Sequence, residues 1–137
     1  VFAFTAVDIY SREADVLLRS SVTSNDGVVF LRSCMARRFN GHVELLQNDG
    51  GPEFKGEFAL RARLFCDRHR VARPYKKNEQ AHIESFNRTL RKECLGWSKY
   101  KPSQMNALQE QVETFLHRYH YHRPHLAFQP MTPPLEN

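Results

Sequence analysis

The chain has 137 residues, 41% hydrophobic and 12% aromatic, which is enough for one folded domain with a real core and excludes an intrinsically disordered segment. It holds no apolar run of membrane-spanning length and no charged-then-apolar leader, so neither a membrane span nor a signal peptide is read from it. The net charge of +5 and the pI near 9.3 favour a polyanionic partner, and on their own point only weakly to nucleic acid.

The predicted elements alternate without internal repeats. Val1–Ile9 and Ala14–Arg19 read as strands of an antiparallel hairpin joined by 10–13. The chain opens without methionine inside that first strand, and the expectation is a fragment of something longer. Ser24 or Asn25 caps a helix carrying Val28, Leu31, Met35 and Phe39, and Asn40-Gly41 ends it. His42–Gln47 reads as a short strand broken by Asn48-Asp49-Gly50-Gly51-Pro52. A second helix is expected over Phe54–Arg68 with Phe58, Leu60, Leu64 and Phe65, followed by a strand near Arg70–Arg73 and a loop through Tyr75-Lys76-Lys77-Asn78. A third helix starts before Glu84, and its stripe Ile83, Phe86, Leu90, Cys94 and Trp97 recurs at three- and four-residue steps. Gly96 and Pro102 bracket a link to a last helix, Ser103 to about His122, with Leu108, Val112, Phe115 and Tyr119 as its buried stripe. Residues 1–123 are taken as the domain and 124–137 as an extended proline-rich tail. Strands followed by helices, with a crossover from the hairpin to the Leu45 strand, describe a layered α/β domain. Cys34, Cys66 and Cys94 each fall on a predicted helix and read as reduced thiols of a cytosolic protein, neither a disulfide framework nor a zinc site.

Two acidic positions stand out. Glu84, Arg88 and Arg91 at i, i+4 and i+7 share a helix face away from the apolar stripe, an arrangement that suits a cation held by the carboxylate and phosphates held by the guanidiniums. The plainer alternative is a solvated face with a weak Glu–Arg pair. Asp49 sits at the carboxyl end of a strand on a glycine-rich turn, where open α/β sheets place ligand-binding groups, although Asp-Gly also makes ordinary turns. The 34 residues separating it from Glu84 span about one helix, one strand and one loop, enough to return beside the first strand. Two carboxylates brought together this way repel unless divalent cations lie between them.

Gln47-Asn48-Asp49-Gly50-Gly51-Pro52-Glu53-Phe54 resembles the second-aspartate motif of the DDE transposases and retroviral integrases. Asn78–Leu95 is similar to their glutamate helix, and Tyr119–Leu126 with Thr132-Pro133 to the tail of bacterial insertion-sequence transposases. The resemblance covers nearly the whole chain. It implies an RNase H-like three-layer fold with a mixed sheet, and Asp49 and Glu84 as two of three catalytic carboxylates binding Mg²⁺ or Mn²⁺. It also implies DNA contacts at Arg88 and Arg91, with Gln80 on the loop near the metal site and Tyr75 at the start of that loop. Lys76-Lys77, from their place before Glu84, read as a phosphate-contacting loop in preference to a merely solvated one. The partners implied are DNA, as element ends and target, and further copies of the chain in a dimer or higher assembly. The setting implied is the bacterial cytoplasm, on the nucleoid. Gly50 stands where the family usually has asparagine. The family's first aspartate lies on a strand preceding Val1, roughly fourteen positions upstream of Asp8; Asp8 matches a later position and is not that carboxylate. With that central first strand missing, its place is expected to be filled by strand exchange or rearranged pairing.

Chemically, a two-metal site activates water or a 3′ hydroxyl with one cation and stabilises the leaving oxygen with the other. Asp49 and Glu84 alone set two negative charges against four positive, so the chain is expected to bind at most one cation weakly and to lack strand transfer. Two other functional classes stay open: a non-catalytic DNA-binding or assembly domain of the same fold, and an RNase H-like ribonuclease. His117, His120, His122 and His125 are spread around a helix end with no cysteine among them, and read as a polar segment packed on the core or touching DNA in preference to zinc.

Overall fold

The computed structural model describes residues 1–73 and 75–121, with the side chain of Lys77 also outside what is described. The described residues divide into two compact units, one built from the N-terminal hairpin with 82–121, the other from 19–81.

In the first unit, β1 (Phe2–Val7) and β2 (Ala14–Arg19) are neighbours in a two-stranded sheet. The link between them is a turn held by Asp8, whose Oδ1 accepts from the Tyr10 and Ser11 amides at 2.8 and 3.1 Å. The strongest apolar alternation lies on β2, where Ala14, Val16 and Leu18 are buried against Phe86, Leu90, Leu95, Leu108, Val112, Phe115, Leu116 and Tyr119. These last residues come from α3 (Ala81–Leu90), the π-helical turn Arg91–Leu95 and α4 (Met105–Tyr121). The predicted α4 stripe is the observed one. Polar residues of the same helix reach the sheet backbone. Gln109 accepts from the Leu18 amide (2.9 Å) and donates to the Val16 carbonyl (3.2 Å). The Ala14 amide donates to Nε2 of buried His120 (2.9 Å), which places the ring proton on Nδ1. Side chains of one helix thereby satisfy the 14, 16 and 18 backbone groups along one edge of β2, an edge that would otherwise recruit another strand.

The second unit holds α1 (Ser24–Arg37), β3 (Val43–Asn48), α2 (Glu57–Ala62) and β4 (Cys66–Val71). Thr23, one residue before the predicted caps, is the N-cap of α1 and forms a reciprocal capping box with Asp26. Asp26 also accepts from Ser21 Oγ (2.5 Å) and Arg19 Nε (2.8 Å); the Ser21 and Thr23 hydroxyls, then Arg19, hold its carboxyl well below the usual range despite its burial. Asn40 and Gly41, both at positive φ, end the helix as expected, and the Gly41 amide donates to the Met35 carbonyl (2.8 Å). β3 and β4 run parallel in register Val43↔Cys66, Leu45↔Arg68, Gln47↔Arg70. Val28, Leu31, Met35, Phe58 and Ala62 form the core beside them.

Three expectations are corrected. The second helix stops at Ala62, because residues 66–71 are taken up by pairing with β3; Leu60 and Leu64 keep helical spacing but are 63% and 68% exposed. Cys66 consequently begins a strand, not a helix, while Cys34 lies in α1 and Cys94 in the π-helical turn. Trp97 is not part of the buried α3 stripe: Gly96 adopts φ +66, ends the helix, and leaves Trp97 76% exposed. Among the described residues no helix is long and apolar enough to cross a membrane. The proposed tail, 124–137, and His122 and His125 lie outside the described residues.

Candidate active site

Asp49 follows directly on β3, at the carboxyl end of the parallel pair. Its Oδ1 accepts from the Gly51 amide (2.8 Å), an Asx turn, and the residue is exposed. Gly50, where the resemblance expects asparagine, has no positive φ, and a side chain there would meet open space. Gly51 differs. A Cβ on it would fall 1.9 Å from Glu53 Oε1 and 3.0 Å from Asp49 Oδ1, so the Glu53 carboxylate folds back beside that of Asp49. Sequence reasoning misses Glu53; its only signal there is the i, i+4 spacing across a Gly-Pro turn.

The residue before Asp49 is fixed from the neighbouring strand. Asn48 is buried; its amide donates to the Asp49 carbonyl (2.7 Å) and its Oδ1 accepts from His69 Nε2 (2.5 Å). Burial, and secondarily the Arg63 charge, push the His69 imidazole below its ordinary pKa of 6.5. Gln47 carries the 3₁₀ turn Lys77–Gln80: its Nε2 donates to the Glu79 carbonyl (2.5 Å), and its Oε1 accepts from Arg70 Nε (2.8 Å). Arg73 Nε meets the Glu79 carboxylate at 3.0 Å and holds its pKa below the usual value. Gln80 closes this turn half-buried, while Tyr75 and Lys76 are exposed, with Lys76 Nζ 5.7 Å from the Tyr75 ring centroid. Of Lys77 only the backbone, at the start of the turn, is described.

Glu84 stands in the first turn of α3, exposed, with Arg88 one turn on. No hydrogen bond or ion pair joins them among the described residues, and both are exposed. The helix is docked on the hairpin by Thr5 Oγ1 donating to Asn87 Oδ1 (2.7 Å) and by Arg12 donating to His82 Nδ1. Arg91 opens the π-helical turn, its guanidinium 6.0 Å from the Trp97 ring centroid. Asp49 belongs to the 19–81 unit and Glu84 to the unit that begins again at His82.

Taken singly, Asp49 and Glu84 each offer exposed carboxylate oxygens, the kind of ligand Mg²⁺ and Mn²⁺ prefer. Among the described residues, no group of three or more His, Cys, Asp or Glu side chains could hold a metal ion. His117 is exposed and stacks with Tyr121 (centroids 5.0 Å), whereas His120 is buried against the Ala14 amide, so these two do not converge as zinc ligands.

Residues 67–133 match the family described as "Integrase core domain". Among solved structures, a chain in the cryo-EM structure of the simian T-cell lymphotropic virus intasome in complex with the PP2A regulatory subunit B56 gamma matches with a TM-score of 0.71. That match covers 96% of this chain at 16% identity, and this chain spans 46% of the length of that one. No curated protein matches. At that identity the structural likeness establishes the fold, which is that of the integrase core, RNase H-like.

Proposed function

We propose that this chain, an integrase core domain of the DDE transposase and integrase type, is the catalytic part of an enzyme that cleaves and joins DNA strands with Mg²⁺ or Mn²⁺. The observation that carries the reading is Asp49: an exposed carboxylate at the carboxyl end of a parallel strand, anchored through an Asx turn and through Asn48–His69 behind it. Glu84 supplies the second carboxylate; Asp8, at the turn of the β1–β2 hairpin, is not assigned as a third. Cations bound by these groups would activate a water or 3′ hydroxyl and stabilise the leaving oxygen.

The chain's own residues bind and orient the DNA. Arg88 and Arg91 offer planar guanidiniums to phosphates on the helix that carries Glu84. Tyr75, Lys76, Lys77 and Gln80 contact the strand near the reacting phosphodiester, on a loop tied by Gln47 and Arg73 to the ends of β3 and β4. The partners are the element ends and the target DNA, the acting form is a homo-oligomer, and the setting is the bacterial nucleoid.

Glu84→Gln in the full-length protein tests the reading. It is nearly isosteric and removes only the charge, so metal-dependent strand cleavage is expected to vanish while DNA binding persists with its salt dependence. Cleavage that survives the substitution refutes the assignment. A wild-type protein that binds DNA yet never cuts it establishes instead the non-catalytic DNA-binding domain.

A further inference from the structure

Trp97 is a large apolar side chain that the fold turns outward. In an unbroken helix it would continue the stripe of Phe86 and Leu90 into the core. Instead the chain passes through the π-helical turn Arg91–Leu95, and Gly96 at φ +66 redirects it while its amide donates to the Arg91 carbonyl at 2.7 Å. π-Helical turns concentrate at functional positions. The indole is left 76% exposed.

The segment carrying it is pinned on both sides. Leu95 is buried, and its carbonyl accepts from Tyr100 Oη at 2.5 Å. The Tyr100 carbonyl accepts from the backbone nitrogen of Val1 at 3.1 Å, and the Lys101 amide donates to Gln104 Oε1 at 2.8 Å. Trp97 is thus displayed on a short, anchored loop. The Arg91 guanidinium lies 6.0 Å from the ring centroid, and its Nη1 donates to the Gly96 carbonyl at 3.4 Å, so the cation is held beside the ring. Between residues 85 and 109 the sequence carries Arg88, Arg91, Lys92, Lys99 and Lys101 against one acid, Glu93. All five cations are exposed.

We infer that Trp97, with Arg91 beside it, is a stacking platform for an unpaired DNA base. An exposed aromatic ring on a tethered loop amid backbone-neutralising cations is what single-strand recognition requires, because every base has a π-face and the phosphates need counter-charge. Bases inside a duplex have both faces covered by their neighbours, so the ring selects a frayed end, a flap or a single strand. The inference rests on DNA being the partner and adds which form of it this surface takes.

Trp97 is the only tryptophan of the 137 residues, so its emission reports on this position alone. A short oligothymidylate and a relaxed, covalently closed circular duplex are titrated into the chain, with binding followed independently by mobility shift. The oligonucleotide is expected to quench the emission saturably, and the closed duplex to bind without quenching. Trp97→Ala is expected to weaken oligonucleotide binding by roughly 5- to 100-fold with little effect on the duplex. Oligonucleotide binding without quenching, or equal quenching by the closed duplex, overturns the stacking role while leaving the DNA-processing reading intact. Failure to bind either DNA removes the partner itself and sinks both. If oligonucleotide leaves the emission unchanged and Trp97→Ala shifts the chain to a smaller oligomer, the indole is a protein contact and the inference is wrong.

Discussion

Gly27 offers a substitution whose sign separates local from tertiary effects. It lies in the first turn of α1, its amide donating to the Thr23 carbonyl at 3.1 Å. By helix propensity alone, Gly27→Ala gains about 0.5–1 kcal/mol. The surroundings oppose this, because a Cβ at 27 would stand 2.5 Å from the backbone oxygen of Glu53 and 3.0 Å from Phe58 Cδ2. A backbone oxygen cannot swing aside as a side-chain tip can, so the 3₁₀ turn Pro52–Phe54 must retreat by roughly half an ångström or more, and overpacking of this kind costs about 1–3 kcal/mol. The balance of the mid-values is a net loss of roughly 1 kcal/mol, and at most about 2.5 kcal/mol. Urea unfolding followed by circular dichroism is expected to show a lower midpoint with an unchanged slope. The displaced turn is the one that anchors Asp49: the Phe54 amide donates to the Gly51 carbonyl, and the Gly51 amide to Asp49 Oδ1. Metal-dependent strand cleavage by the full-length variant is therefore expected to fall more than DNA binding. A variant as stable as the wild type or more so refutes the packing argument; a destabilised variant with unimpaired cleavage refutes the coupling to Asp49.

Gln109→Leu keeps the side chain's bulk but strips the Leu18 amide and Val16 carbonyl of their partner, at a cost of about 2–3 kcal/mol in urea unfolding; a change within about 0.5 kcal/mol would mean that edge is satisfied another way. His69 has a folded pKa below 6.5, so the unfolded chain takes up the proton first. Its contribution to stability is full above pH 6.5 and declines as pH falls through that value toward the folded pKa; His69→Gln is expected to flatten this part of the pH–stability curve, and an unchanged curve refutes the assignment. Isothermal titration of the chain with Mg²⁺ is expected to give at most one weak site; two tight sites would show that Asp49 and Glu84 suffice without a third carboxylate.

What could be read from the sequence was local. The Leu108, Val112, Phe115, Tyr119 stripe predicts α4 because each residue both keeps the period and is buried. Leu60 and Leu64 keep the same period and face solvent, so periodicity overran the end of α2, where pairing of Cys66 with Val43 decides the boundary. Trp97 fails for the opposite reason: one glycine at positive φ breaks the phase, and helical spacing carries no information about φ. The Asp49 turn was legible because an Asx turn needs only the aspartate and an amide two residues on. The groups that brace it were not. Asn48–His69 and Gln47–Glu79 join residues 21 and 32 apart, and Gln109 reaches across 91, through contacts that only the folded chain defines.

The acids sort by what they meet. Asp26, Glu57, Asp67 and Glu79 are paired with Arg19, Arg61, His42 and Arg73, and each ties down a turn, a helix face or a loop. Asp49 and Glu84 have no such cation among the described residues, in a chain with 20 Lys and Arg against 15 Asp and Glu. Exposed acids such as Glu44 share that property, so lack of a partner is not sufficient. What distinguishes the two is placement, one just past the end of a parallel strand and one in the first turn of a helix, each on an element fixed by contacts behind it. An exposed carboxylate not paired with a cation of its own protein is open to one from solution. Moving either one by a residue would turn its side chain to another face of the strand end or of the helix, about 100° away in the helix, and the direction it now takes would be lost.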